Sequence, residues 1–315
     1  MGQGIVRLND KLLKSIHMKV EGIVTPQGLR NFIWLLLFVV SSQSHGQGNA
    51  SKEEWIPLFN GKDLSGWDIK IAGHDLNENF GNTFRVVGGV LKVSYDQYKE
   101  FANKFGHLYY RQAFSYYKLR VEYRFVGEQL KGGAEWNVRN SGVMLHSQPA
   151  SSLMKDQAFP VSLEMQLLGG LNDGKPRSTA NLCTPGTMIE MNGKLNTDHC
   201  INSTSRTYDG DQWVKVEAIV LGDSLIRHIV DGKVVMEYQR PRVGEVGDFK
   251  KYFMEGWGNQ HEGMLLKEGS IALQAESHPI EFRVVELLNL KGCKNPKCAE
   301  YKSYYVAAGD CDCYK

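Results

Sequence analysis

Apolar and polar residues alternate with a period of two along much of this chain. Residues 117–125 are the plainest case. Tyr117, Leu119, Val121, Tyr123 and Phe125 fall on one face, and Lys118, Arg120, Glu122 and Arg124 on the other. That period predicts a strand with one side on a core and the other in solvent. The same pattern predicts a hairpin over 84–93 turning at Gly88-Gly89, a strand over 212–220, and a hairpin over 226–238 turning at Asp231-Gly232. Residues 270–277 and 279–287 read as a closing strand pair. Many short strands between turn residues, with no fixed-period repeat, predict an all-β sandwich or barrel.

Two stretches put polar groups on an open face. In 159–170, Val161, Leu163, Met165 and Leu167 face a core, leaving Ser162, Glu164 and Gln166 outside. In 139–146, Val143 and Leu145 face inward, while Asn140, Gly142, Met144 and His146 share the other face. Pairing these strands would set His146 beside Glu164 and Gln166. Gln274 and Glu276 lie opposite Ile271 and Leu273 and are expected on that same open face. A carboxylate and a carboxamide two residues apart suit a polyhydroxylated ligand, and Glu164 can also exchange a proton. Residues 172–205 have few apolar runs and many Gly, Pro, Asn, Ser and Thr. Pairing of Cys183 with Cys200 would order this loop, adding roughly 3 kcal/mol. It would then stand as a wall over the Glu164 strand, carrying Arg177, Asn181, Thr184 and His199.

Charge and cysteine usage narrow the class. Lys and Arg number 37 against 35 Asp and Glu, a net charge of +2, so no basic field points to nucleic acid. Lys19 and Arg30 precede the apolar run 32–40, which exits through small and polar residues to Gln47. This reads as a secretory signal, too short in its apolar core to span a bilayer, with Met18 a plausible start. The expected organisation is a leader over 1–47, one domain over 55–290 and a cysteine-rich tail over 291–315. The six cysteines fit disulfides in an exported, periplasmic or extracellular chain with no stable membrane insertion after cleavage. Cys293, Cys298, Cys311 and Cys313 allow three pairings. A zinc site is the rival, but Cys-x4-Cys with Cys-x-Cys departs from the usual ligand spacing.

Several segments together resemble the 3-keto-disaccharide hydrolase domain, also known as domain of unknown function 1080. They are the opening 58–67 (Leu-Phe-Asn-Gly-Lys-Asp-Leu-Ser-Gly-Trp), Asn140-Ser141-Gly142-Val143, Glu164-Met165-Gln166, 269–274 and Phe282-Arg283. They occur in order over most of the chain. One departure is that Glu276 stands where the family pattern has a histidine, with His278 two residues later. The resemblance implies a concanavalin A-like jelly-roll sandwich of two antiparallel sheets, and an exported enzyme acting on carbohydrate. It implies cleavage of 3-keto-glycosides. The ketone makes the C2 hydrogen acidic, a base removes it, the C1 oxygen leaves by β-elimination, and water adds back. On that reading Glu164, His146 or His199 is the base. Arg139, Asn140, Gln166, Asn181, Gln274 and Glu276 are the expected substrate contacts. No ligand cluster fixes a metal, and a divalent ion on the ketone remains open as the one cofactor. The alternatives are a carbohydrate-binding module using Trp136 or Trp257 as platform, and a conventional glycosidase using Glu164 with Glu276.

Overall fold

Two antiparallel sheets, one of ten strands and one of seven, form a sandwich. The described residues run from 50 to 311 of this computed structural model; the expected leader and Cys313 lie outside them. Residues from Ser51 onward form one unit. The larger sheet runs Lys194–Asn196, Thr187–Met191, Lys233–Val243, Leu225–Val230, Val214–Leu221, Tyr116–Phe125, Ile280–Asn289, Val90–Val93, Phe84–Val87, with Ile56–Pro57 added beside Ile280–Asn289. The smaller runs Cys200–Ile201, Asn181–Cys183, Leu163–Leu168, Asn140–Ser147, Ser270–Ala275, Gly106–Tyr110, Trp67–Ile71.

The core lies between the sheets. Tyr117, Leu119, Val121, Tyr123 and Phe125 from one layer pack with Val143, Leu145, Leu163, Met165 and Leu167 from the other. All ten are buried, as the two-residue alternation requires. The other side of the large sheet is polar. There Arg120 pairs with Glu217 and Glu286, Arg124 with Glu281, and Arg283 with Glu122. Trp213 lies under the guanidinium groups of both Arg124 and Arg283, each 4.6 Å from its ring centre. Among the described residues no helix is long and apolar enough to cross a membrane.

The hairpins at Gly88-Gly89 and Asp231-Gly232 form as the sequence predicts. Three other expectations fail. Ser270–Ala275 and Ile280–Asn289 do not pair with each other but belong to different sheets. The chain crosses between layers near Ser277, whose φ is 71°. The expected loop 172–205 is interrupted by short strands: Asn181–Cys183 extends the small sheet beside Leu163–Leu168, and Thr187–Met191 joins the large one. A 3-10 turn, Gly247–Phe249, and a short helix, Lys250–Phe253, occupy a stretch for which alternation predicts nothing.

The third correction concerns His146. Met144 pairs with Ala272 and Ser147 with Ser270, so Leu145 and His146 together face the single residue Ile271. This is a β-bulge, with His146 at φ 48°. The extra residue turns the imidazole inward. His146 is fully buried, its Nε2 lies 3.1 Å from the Gly222 carbonyl of the opposite sheet, and its ring packs edge-on to Tyr117. The bulge presses on Gly269, where a Cβ would stand 2.5 Å from the His146 carbonyl carbon. His146 therefore does not share the face of Glu164.

Candidate functional site

Pairing of Gly142 with Gln166 and of Met144 with Glu164 sets the register of the open face. Glu164 leans over Gly142: a Cβ on that glycine would be 2.5 Å from Glu164 Oε1. The missing side chain lets the carboxylate reach across the neighbouring strand toward the Ser270–Ala275 strand and Glu276, which immediately follows it. Both carboxyl groups are buried. Burial pushes the Glu164 carboxyl up to about 8, and raises Glu276 well above the usual carboxylate range, with the nearby charge of Glu164 adding to the effect. Such a pair titrates as a unit and holds one proton where two isolated carboxyls would hold none.

These groups line a cleft of about 550 Å³ together with Asn140, Gln166, Arg177, His199, Trp136 and Phe253. The size suits a small organic ligand. Gln166 is oriented by Asn181, whose Nδ2 donates to its Oε1 at 3.1 Å. Asn181 also receives hydrogen bonds from Ser178 and from the Ser203 amide, so its role is to hold Gln166 and leave the Gln166 amide nitrogen turned to the cleft. Asn140 donates to the Trp136 carbonyl, while its Oδ1 is buried without a partner. Gln274 is fully buried with neither amide atom bonded and is not part of the cleft lining, whereas Glu276, which is, has its Oε2 unpartnered. Buried polar atoms are normally satisfied, so a cluster of bare ones marks a surface built to meet a polar ligand.

His199 forms the opposite wall. The Cys183–Cys200 disulfide ties its segment to the strand next to Glu164, and Cys183 itself pairs with Glu164 in register. Its imidazole stacks on Phe249 at 4.6 Å and on Phe253 at 5.1 Å, with Nδ1 buried and unpartnered. Burial lowers its pKa, which keeps the ring neutral. Arg139 falls elsewhere. Its guanidinium bonds the Gly210 carbonyl and pairs with Asp211 at 3.2 Å, holding a neighbouring loop, and it is not part of the cleft lining. Arg177 does reach the cleft, but Nη1 and Nη2 donate to the carbonyls of Gly169 and Val138 at 2.6 and 2.7 Å. Trp136 is an exposed wall residue, whereas Trp257 stacks on His261 outside the cleft.

Sequence reasoning misses His107, which pairs with Gln274 and is buried with Nε2 unpartnered. It also misses the aromatic wall of Phe159, Phe249 and Phe253. Alternation over Gly106–Tyr110 is the signal that would have placed His107 on the outer face; the wall residues sit on irregular segments that carry none. The His, Asp and Glu side chains of the cleft do not converge in threes closely enough to share an ion, among the described residues. Cys293, Cys298 and Cys311 do converge, but Cys293 and Cys311 form a disulfide and Cys298 is disulfide-bonded as well.

The fold is a mostly β, two-layer antiparallel sandwich with the cleft on its smaller sheet. Residues 54–288 match the 3-keto-alpha-glucoside-1,2-lyase-like domain, and the chain belongs to that 3-keto-disaccharide hydrolase family. Among solved structures, it is similar to a candidate glycosyl hydrolase of Parabacteroides distasonis ATCC 8503, with 17% identity over 75% of this chain and 93% of that one at a TM-score of 0.44. It is also similar to a β-glucanase of Bacillus licheniformis, with 13% identity over 76% and 99% of the two chains at a TM-score of 0.40. None of the curated proteins matches the chain. The Cys183–Cys200 and Cys293–Cys311 disulfides fit an oxidising, exported location.

Proposed function

We propose that this chain is an exported enzyme, periplasmic or extracellular, that cleaves the glycosidic bond of 3-keto-glycosides within the domain 55–290. The observation that carries the reading is the buried Glu164–Glu276 pair, raised in pKa, in a cleft whose other wall is a neutral histidine. Burial makes a carboxylate a stronger base than it is in water, and a pKa near the working pH is what proton abstraction from carbon needs. Glu164 takes the C2 proton, and the C2–H electrons form the enolate of the C3 ketone. The Gln166 amide nitrogen, held by Asn181, donates to the developing enolate oxygen. Collapse of the enolate breaks the C1–O bond, and the departing oxygen, held by a hydrogen bond from the neutral His199 imidazole, takes up the proton that Glu164 carries. Water then adds across the C1–C2 double bond to give 3-keto-glucose. Asn140 and Glu276, whose unpartnered oxygens belong to the cleft lining, supply hydrogen-bonding atoms for the sugar hydroxyls.

The test is incubation of the purified protein with a 3-keto-disaccharide and, separately, with its unoxidised parent. Release of 3-keto-glucose from the first alone supports the reading. Equal cleavage of the parent would instead assign Glu164 and Glu276 to a conventional two-carboxylate hydrolase. Binding of either sugar without any product would leave a carbohydrate-binding module.

A further inference from the structure

Five tryptophans fall among the described residues, and four of them are taken up by the protein itself. Trp67 is buried, with Nε1 donating to the Leu58 carbonyl at 2.9 Å. Trp55 lies under the Arg120 guanidinium, Trp213 under those of Arg124 and Arg283, and Trp257 stacks on His261 at 4.0 Å. Trp136 differs. It is 55% exposed, and it lines the cleft that holds Glu164 and Glu276. A single exposed apolar side chain is ordinary on a protein surface. What sets this one apart is how it is held.

The indole lies parallel to Phe105, with the planes 8° apart and the centroids at 6.1 Å. Phe105 is buried and packs on Phe101 and Phe159 at 4.9 and 4.7 Å, so the core backs the indole. The 3-10 turn Glu135–Asn137 that carries Trp136 is tied down by two cleft residues. Asn140 Nδ2 donates to the Trp136 carbonyl at 3.1 Å, and Arg177 Nη2 to the Val138 carbonyl at 2.7 Å. Asn140 Oδ1, on the same side chain, is buried and unpartnered. A flat ring of fixed orientation and a bare acceptor therefore share one cleft. A pyranose matches that pair. Its ring faces carry C–H groups made slightly positive by neighbouring oxygens, which suit the negative face of an indole, and its rim carries hydroxyl donors.

We propose that Trp136 is the platform on which the keto-sugar ring stacks, with Asn140 Oδ1 accepting a hydrogen bond from a hydroxyl at the rim. This rests on the keto-glycoside reading above and names the residue that sets its affinity. The stacked ring face is there before and during proton abstraction, so the contact stabilises substrate and transition state alike and acts on KM, not kcat. Trp136→Ala should raise KM for the 3-keto form of methyl glucoside about tenfold, with kcat within about twofold, and Trp136→Phe should recover most of the loss. The Kd of free 3-keto-glucose, measured by calorimetry, should shift in the same order without any turnover. The melting temperature should hold, because the side chain is exposed. Unchanged KM and Kd in Trp136→Ala, a loss that falls on kcat, or a loss that Trp136→Phe does not recover would overturn the platform while the lyase reading stands. Binding of 3-keto-glucose that Trp136→Ala weakens, with no turnover by the wild type, would remove the lyase reading and keep the platform. Neither binding nor turnover by the wild type would remove both.

Discussion

Gly142 and Glu164 are one functional unit, because the carboxylate lies where a side chain on residue 142 would begin. Gly142→Ala should displace Glu164 and cost activity, together with about 1–3 kcal/mol of stability from overpacking, read as turnover and a denaturant midpoint. Glu164→Gln keeps the shape but removes the base, and turnover should fall by roughly a thousandfold with the melting temperature preserved or raised. The pH dependence follows from the same burial. The reactive form of Glu164 is ionised, so kcat/KM should climb with pH up to about 8 and then level, not plateau in the ordinary carboxylate range. Stability should run the other way. The folded pair keeps a proton that the unfolded chain has already released, so stability declines as pH rises from the ordinary glutamate range through the raised one. Glu276→Gln should therefore raise the melting temperature at pH 8 by about 2–4 °C, the shift expected for about 1 kcal/mol, and do little at pH 5. The faces of Glu164 and Gln166 are legible in the sequence because alternation alone fixes them. The direction of Arg139 is not, since its backbone takes φ 47° and sends the guanidinium to Gly210 and Asp211.

Whole elements were legible where the period ran unbroken. Tyr116–Phe125 alternates buried and half-buried along its full length, as predicted. A bulge defeats the same logic: one extra residue at His146 reverses the face of every position after it, and nothing in Met144-Leu145-His146 announces it. Asn181–Cys183 was hidden for a different reason. It is short and polar at its start, and becomes a strand only by pairing with Leu163–Leu168. The closing strands misled because adjacency in sequence suggested a hairpin, whereas a sandwich passes the chain from one layer to the other. The disulfide that ends at Cys200 anchors the segment that brings His199 to the same cleft as the carboxylate pair. Replacing Cys183 and Cys200 together by Ser should lower stability by about 3 kcal/mol, measured by denaturation. It should also reduce turnover at temperatures where the protein stays folded, because His199 loses its anchor.

At the scale of the molecule, the two sheets divide the work. The large sheet turns a laddered, ion-paired face to solvent, while the small sheet carries bare polar atoms on its floor beneath aromatic walls. The central claim is that a buried carboxylate on this floor removes the C2 proton of a keto-sugar. The direct measurement is to run the wild-type reaction on a 3-keto-glucoside in D2O and follow deuterium at C2 of the product by NMR at early times, against free 3-keto-glucose under the same conditions. The account predicts deuterium at C2 in the first product formed, ahead of the background exchange of free 3-keto-glucose, and none above that background with Glu164→Gln. First-formed product that retains its C2 hydrogen would contradict it.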